Sequence, residues 1–256
     1  MAESMKNNPL VSVVMPAYNV EKYIGEAILS VISQTYTNWQ LLIIDDCSTD
    51  RTAEIAEEFE KSDKRIRVLR NSQNMGVAKT RNRGFDLAEG EWVALLDSDD
   101  RWHKEKLEKQ LVVAENSDED IIYCSYALTD ESGKHLSDYK VPRTTTYHDM
   151  LKECVLSCST VLLHRGILAS HHFLYDCYQE DYAFWLELLR AGYRAEACCD
   201  VLADYRIVNG SRSRNKLKSA KNRWIVYRRV EKLSLVISIR AFMTYAFRGV
   251  MKYRGL

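Results

Sequence analysis

Short β-branched runs alternate with helix-period segments through the first hundred residues, and this alternation constrains the fold more than any other feature. Runs of strand length stand at 11–15 (VSVVM), 41–44 (LLII), 66–69 (IRVL) and 92–96 (WVALL). Between the first two, Ile24, Ala27, Ile28, Val31 and Ile32 fall on one helical face. Asp50 occupies an N-cap position ahead of Ile55 and Phe59. A third helix is expected from about Val77 to Ala88, with Gly90 placed to end it. KEKLEKQLVVAEN (104–116) reads as a fourth. Repeated β-α units with short connections imply an α/β domain on a mainly parallel sheet, covered by helices on both faces. Such sheets bind ligands beyond the carboxyl ends of their strands. Here those ends carry PAYN (16–19), DDCSTD (45–50) and DSDD (97–100). Three polar ends on one edge make a site.

The second half is less regular. IIYCSY (121–126) and STVLLH (159–164) look like strands, DESGK (130–134) like a hairpin turn, and EDYAFWLELLRAG (180–192) like a helix stopped by Gly192. A chain of 256 residues, 46% apolar with 15 Tyr and 5 Trp, suits one packed α/β domain with an appended segment. Its formal charge is zero but unevenly spread. From Tyr205 onward there are 14 Lys and Arg against one acid, Glu231, which leaves 22 Lys and Arg against 35 acids before it. An acidic body with a basic tail points toward an anionic surface. Seven cysteines without a C-x-x-C pair, and a polar start without a signal peptide, lead us to expect reduced thiols in a cytoplasmic protein.

The acids carry the chemistry. Asp97, Asp99 and Asp100 could converge on a hard divalent cation, Mg²⁺ or Mn²⁺, which prefers oxygen ligands. Equally, Asp99 or Asp100 could cap a helix starting near Lys104. Asp46 could accept from the imide N–H of a base such as uracil, because an ionised carboxylate only accepts; the alternative is that Asp45 and Asp46 cap turns. Tyr18 could pack on a base or belong to an ordinary strand-to-helix turn. Of Lys79, Arg81 and Arg83, one could meet a base or a diphosphate. No Gly-rich phosphate loop follows the first strand, which speaks against a nucleotidyltransferase and a dinucleotide-dependent dehydrogenase. No nucleic-acid-binding motif is present either.

The ordered set VSVVMPAYN, SVISQTYTNWQLLIIDDCSTD, NMGVAKTRNRG, EGEWVALLDSDD and YQEDYAFWLELLRAG resembles family 2 glycosyltransferases of the GT-A fold, of the kind that assemble bacterial polysaccharides. The likeness covers residues 10–213, with 10–100 as the nucleotide half and 101–213 as the acceptor half. It implies inverting transfer of a sugar from a nucleotide-sugar, usually UDP-linked, to a saccharide or lipid-linked saccharide hydroxyl, with Mn²⁺ or Mg²⁺. By motif, Asp46 is similar to the base-binding acid, and Asp97 and Asp99 to the D-x-D pair that contacts ribose and metal-diphosphate. Asp100 shares that work, and Pro16, Ala17, Tyr18, Arg81 and Ser98 fall on the donor side. Asp181 matches the general base that takes the acceptor proton, with Glu180 orienting it, although acids also suit a helix N-terminus. LSCSTVLLH (156–164) is similar to the acceptor-pocket segment. Val208 stands where a metal- or diphosphate-contacting His is expected, which leaves Arg206, Arg212 or Arg214 to neutralise phosphate. Two other readings stay open: a polyprenyl-phosphate acceptor, and a non-catalytic nucleotide-sugar-binding protein.

Residues 214–256 form a basic helical tail. Within it, 233–251 is apolar except for Arg240, Thr244 and Arg248, which fall on one stripe. That pattern suits a helix lying on an anionic membrane surface at the cytoplasmic face; packing on the domain or in a homodimer is the alternative.

Overall fold

The computed structural model describes residues 8–175, 177, 179–208 and 216–252. In chain order the elements are β1 (Val11–Ala17), α1 (Ile24–Ile32), β2 (Trp39–Asp45), α2 (Thr52–Ser62), β3 (Ile66–Arg70), α3 (Val77–Leu87), β4 (Trp92–Leu95), β5 (Arg101–Trp102) and α4 (Lys106–Glu115). Then follow β6 (Ile121–Thr129), β7 (His135–Tyr139), β8 (Thr144–Thr145), α5 (Tyr147–Lys152), β9 (Leu162–His164), α6 (Glu180–Ala191), β10 (Ala195–Arg206), α7 (Lys216–Ile225) and α8 (Leu235–Lys252). The strands form one sheet in the order β3-β2-β1-β4-β9-β6-β10-β5, with β7 paired to β6 and β8 to β10. β1 to β4 pair in parallel, as their apolar runs predict. Beyond them β9 enters antiparallel between β4 and β6, so the sheet is mixed.

Every residue of β1 is buried, because the strand lies inside the sheet and both faces are covered. Val13 and Met15 face α1, α2 and α4 together with Leu41 and Ile43. Val14 faces the other core with Leu42, Ile44, Phe85, Val93 and the aromatic residues of α6. Pro16 in such a strand would normally cost a ladder bond. Here β4 pairs with β1 only as far as Val14, so the missing N–H falls where the strands have parted. That parting opens the cleft.

Asp50 does serve the start of α2: its carboxylate accepts from the Thr52 amide at 3.0 Å and the Glu21 amide at 3.1 Å. Gly192 ends α6 in the left-handed region at φ 101°. Gly90 has a different task from the one expected. α3 ends at Leu87, and a Cβ on Gly90 would lie 2.5 Å from the Leu10 carbonyl oxygen, so glycine allows the chain to pass the edge of β1. Neither Asp99 nor Asp100 caps α4, which starts only at Lys106.

The tail joins the body. Val226, Tyr227 and Ala241 belong to the core beneath α6. Glu231 accepts from the Tyr147 hydroxyl at 2.7 Å and pairs with Arg190 at 3.1 Å. Among the described residues no helix is long and apolar enough to cross a membrane.

Lys106 is wholly buried; its amine donates to Gln110 at 2.6 Å and lies 4.0 Å from the Trp102 ring centre. Burial pulls its pKa from 10.5 down to about 8. Between those values the unfolded chain holds a proton that the folded chain has lost, so stability rises with pH across the window. Relative to Lys106→Met, the wild-type protein should gain up to about 3 kcal/mol over that range, read from urea midpoints at each pH.

Candidate active site

Asp46 follows the last residue of β2, is 3% exposed, and is already engaged. One oxygen accepts from the Met75 amide at 2.8 Å and the Asn71 amide group at 2.7 Å; the other accepts from the Gly76 amide at 2.8 Å. Asp46 therefore shapes the loop that launches α3, with Gly76 at φ 83° before its first turn. An ionised carboxylate has about four acceptor positions, so one on Oδ2 is left for a ligand. Asp45 turns inward, accepting from the Ser48 amide at 3.2 Å and pairing with Arg70 at 3.3 Å. At the end of β1, Pro16 and Ala17 are buried, and just beyond it Tyr18 is 46% exposed. Asn19 locks that loop to the next by accepting from the Thr49 amide at 2.9 Å.

Of the three cations on α3 and its approach, only Arg81 enters the site. Lys79 is exposed beside Tyr175, and Arg83 donates to Asn71 and the Arg70 carbonyl. The Arg81 guanidinium is buried and donates to Asp97 at 2.6 Å and to Glu180 at 3.3 Å. Burial disfavours its charge, but Asp97 and Glu180 hold its pKa above the ordinary arginine value. Glu180 and Asp181 form the first turn of α6, as the sequence pattern placed them. Burial raises the Cys158 thiol pKa well above normal; Arg81 opposes that while Asp97, Asp181 and Glu180 add to it. The thiol thus senses all four groups, so the acids of β4 and α6 share one neighbourhood.

Asp97 and Asp99 are partly exposed, whereas Ser98 and Asp100 are buried. Burial first, then the Asp97 charge, pushes Asp99 up to about 6. Two partly exposed carboxylates, of which Asp97 has one oxygen paired with Arg81, fit the oxygen donors that Mg²⁺ or Mn²⁺ prefers. Asp100 does not join them. Its oxygens accept from the Ser159 hydroxyl at 2.5 Å and the Arg206 amide at 2.8 Å, and burial raises its pKa well above the usual carboxylate range. Its role here is to anchor the loop. No group of three or more His, Cys, Asp or Glu poised around a metal occurs among the described residues.

Arg206 is likewise spent. Its guanidinium donates to the Asp99 carbonyl at 2.8 Å, the Glu131 carbonyl at 2.8 Å and Glu26 at 2.7 Å. With 2% of its side chain exposed it braces the D-x-D loop, which corrects the expectation that it could neutralise phosphate. Arg212 and Arg214 lie outside the described residues. Ser159 is the residue that sequence reasoning assigned elsewhere. Besides holding Asp100, its hydroxyl accepts from the Asp97 amide at 3.1 Å, and its carbonyl accepts from the Trp102 indole at 2.8 Å. The strand expected from 159 is correspondingly shorter, since 158–160 form a 3-10 turn and β9 begins at Leu162.

A family model, glycosyl transferase family 2, matches residues 12–168 of the chain. The protein belongs to glycosyltransferase family 2. This family 2 glycosyltransferase is similar to the putative teichuronic acid biosynthesis glycosyltransferase TuaG of Bacillus subtilis (strain 168). The two are 40% identical over 245 residues, 95% of this chain and 97% of that one. It is also similar to an Escherichia coli protein, the UDP-Glc:alpha-D-GlcNAc-diphosphoundecaprenol beta-1,3-glucosyltransferase WfgD, at 38% identity over 85% of each chain. Among solved structures, S. aureus TarS 1-349 in complex with UDP-GlcNAc superposes with a TM-score of 0.73 at 22% identity. That match covers 92% of this chain and 71% of that one. The mannosyltransferase PcManGT of Pyrobaculum calidifontis, solved with GDP-Man and Mn2+, also gives 0.73, at 17% identity over 94% and 70%. The fold of this glycosyltransferase is GT-A.

Removing Arg81 takes from Asp97 and from Glu180, which is 4% exposed, the guanidinium that pairs them. Arg81→Met should therefore lower unfolding free energy by about 3 kcal/mol. The double variant Arg81→Met with Glu180→Gln should recover at least about 1 kcal/mol of that in a denaturant double-mutant cycle.

Proposed function

We propose that the protein transfers a sugar from a UDP-sugar, with inversion at the anomeric carbon, to a hydroxyl of a lipid-linked saccharide. We assign this step to assembly of a cell-surface polysaccharide at the cytoplasmic face of the membrane. One observation carries the reading: Arg81 joins Asp97 of the D-x-D segment to Glu180, the neighbour of Asp181 on α6. The groups that such a transfer needs on its donor and acceptor sides are thereby linked within one buried ion-pair chain. The UDP and lipid-linked assignments draw on the relatives, because WfgD carries both in its name and TarS was solved with UDP-GlcNAc.

In this mechanism Pro16, Ala17 and Ser98 line the donor side, and Tyr18 packs its exposed ring on the base. The remaining lone pair of Asp46 accepts the base's imide N–H. Asp97 serves the ribose and, with Asp99, would hold Mg²⁺ or Mn²⁺, which when bound would neutralise charge on the diphosphate leaving group. Asp181 takes the proton of the acceptor hydroxyl as that oxygen forms its bond to the anomeric carbon. The bond from that carbon to the diphosphate breaks, and UDP departs with the electron pair. Glu180, fixed by Arg81, orients the first turn of α6.

Asp181→Asn should lower kcat by about 100-fold or more with UDP affinity retained in calorimetry. Unchanged turnover would instead fit a phosphate acceptor, which needs no base, and absence of turnover in the wild-type protein across UDP-sugars would fit a binding protein. Chelation by EDTA should abolish turnover, and added Mn²⁺ or Mg²⁺ should restore it.

A further inference from the structure

The helix α8 is apolar on two opposite sides, and only one of them is used. Its inner side packs on the body through Ser238 and Ala241, both buried, with Phe242 against the core and in ring contact with Trp224 at 5.6 Å. On the outer side Val236, Ile239, Met243 and Phe247 follow one another at three- and four-residue steps and are 67%, 44%, 67% and 69% exposed. At 3.6 residues per turn these positions form one stripe, about opposite the packed side. Leu235 and Ile237, also about half exposed, flank it. Among the described residues, six of the thirteen exposed large hydrophobic ones thus sit on this one helix, which is a patch and not scattered exposure.

The charge around the patch selects its occupant. Lys221, Arg228, Arg229, Lys232 and Arg240 of the same segment are exposed. Its single acid, Glu231, is buried against Tyr147 and Arg190. A symmetric dimer across this face would bring two strongly cationic segments together. A bilayer with anionic head groups meets both properties at once, with apolar side chains entering the acyl boundary and the cations meeting phosphate. The Thr244 hydroxyl turns back to the Arg240 carbonyl at 3.0 Å, so it does not extend a polar stripe outward, and the Arg248 side chain lies outside the described residues.

We infer that the outer stripe of α8, centred on Ile239 and Met243, docks the protein on an anionic lipid surface. The docking helix is built onto the catalytic side of the fold. Arg223 of α7 stacks 3.3 Å from the Tyr182 ring centre, and the Ser219 carbonyl accepts from Gln179 at 3.1 Å. These two contacts bracket Glu180 and Asp181 in sequence. A membrane held by α8 therefore lies on a helix pair continuous with the start of α6. The consequence that a lipid-linked acceptor is presented there rests on the proposed sugar transfer, whereas the lipid contact itself does not.

The test uses the full chain and sedimentation with vesicles of phosphatidylcholine, with and without phosphatidylglycerol. The wild-type protein should bind the phosphatidylglycerol vesicles, weakly or not at all the phosphatidylcholine ones, and less in about 0.5 M NaCl. Ile239→Glu with Met243→Glu should reduce partitioning about tenfold or more. The double variant should keep the thermal midpoint and the rate of UDP-sugar hydrolysis in solution. Equal binding by the double variant would overturn the inference, as would failure of the wild-type protein to bind. A wild-type dimer in sedimentation velocity that the double variant converts to monomer would also overturn it, because the face would then be a self-interface. Hydrolysis is read separately, so a failed docking result and a failed transferase reading remain distinguishable.

Discussion

The buried guanidinium of Arg81 is the interaction on which the site depends. α3 packs under β1 and β2, and its Phe85 ring lies 6.1 Å from the Phe184 ring of α6 within one core. Arg81 adds a polar link between the two helices by pairing Glu180 as well as Asp97. Taking a guanidinium out of water costs several kcal/mol unless its partners are close and charged. Both partners here are carboxylates, and the Phe173 ring lies 5.3 Å from the guanidinium carbon. The ion pair sets the spacing of the acids, and any movement of α6 must strain it.

Three acids within four residues after β4 would be unstable if they all did the same thing, and the fold divides them. Asp100 goes inward and is met by Ser159 and the Arg206 amide. Asp97 is held by Arg81, while Asp99 keeps a partly exposed carboxylate and gives its backbone carbonyl to Arg206. Arg206 also reaches Glu26 on α1, so one side chain ties the last long strand, the acid loop and the first helix together. These contacts hold the loop from within the fold. Such preorganisation is what a charged leaving group requires of its surroundings.

The strands of the first half were legible because a parallel strand buried on both faces must be apolar at nearly every position, and that leaves an uninterrupted run. The end of α6 was legible for a similar reason, since Gly192 takes a conformation that disfavours other residues. β9 was read too long, because three residues entering antiparallel between two longer strands carry no periodicity of their own. The task of Asp100 was hidden for another reason: its partners lie 59 and 106 residues away. Neighbouring acids look equivalent in a sequence until distant partners distinguish them. The same holds for Asp46, whose three donors come from the loop after β3. The tail was legible as amphipathic, but the choice between packing and surface contact could not be made from spacing, and the structure gives each side of α8 a separate environment.

Under the proposed transfer, charge is the reason this cleft would call for a cation from outside. Asp97, Asp99, Glu180 and Asp181 gather near Arg81, and Arg206 contributes to Asp99 only through a guanidinium already committed to Glu26 and two carbonyls. A diphosphate entering that set would meet like charge at short range, which costs more in a half-buried site than in water. The pKa of Asp99 is raised first by burial and then by the Asp97 charge, against the opposing pull of Arg206 and Arg81. A further fixed arginine would relieve them permanently and close the position to an incoming ion. Arg81 answers part of the deficit from inside the fold, at Asp97 and Glu180; in the proposed transfer a cation accompanying the donor would answer the part at Asp99.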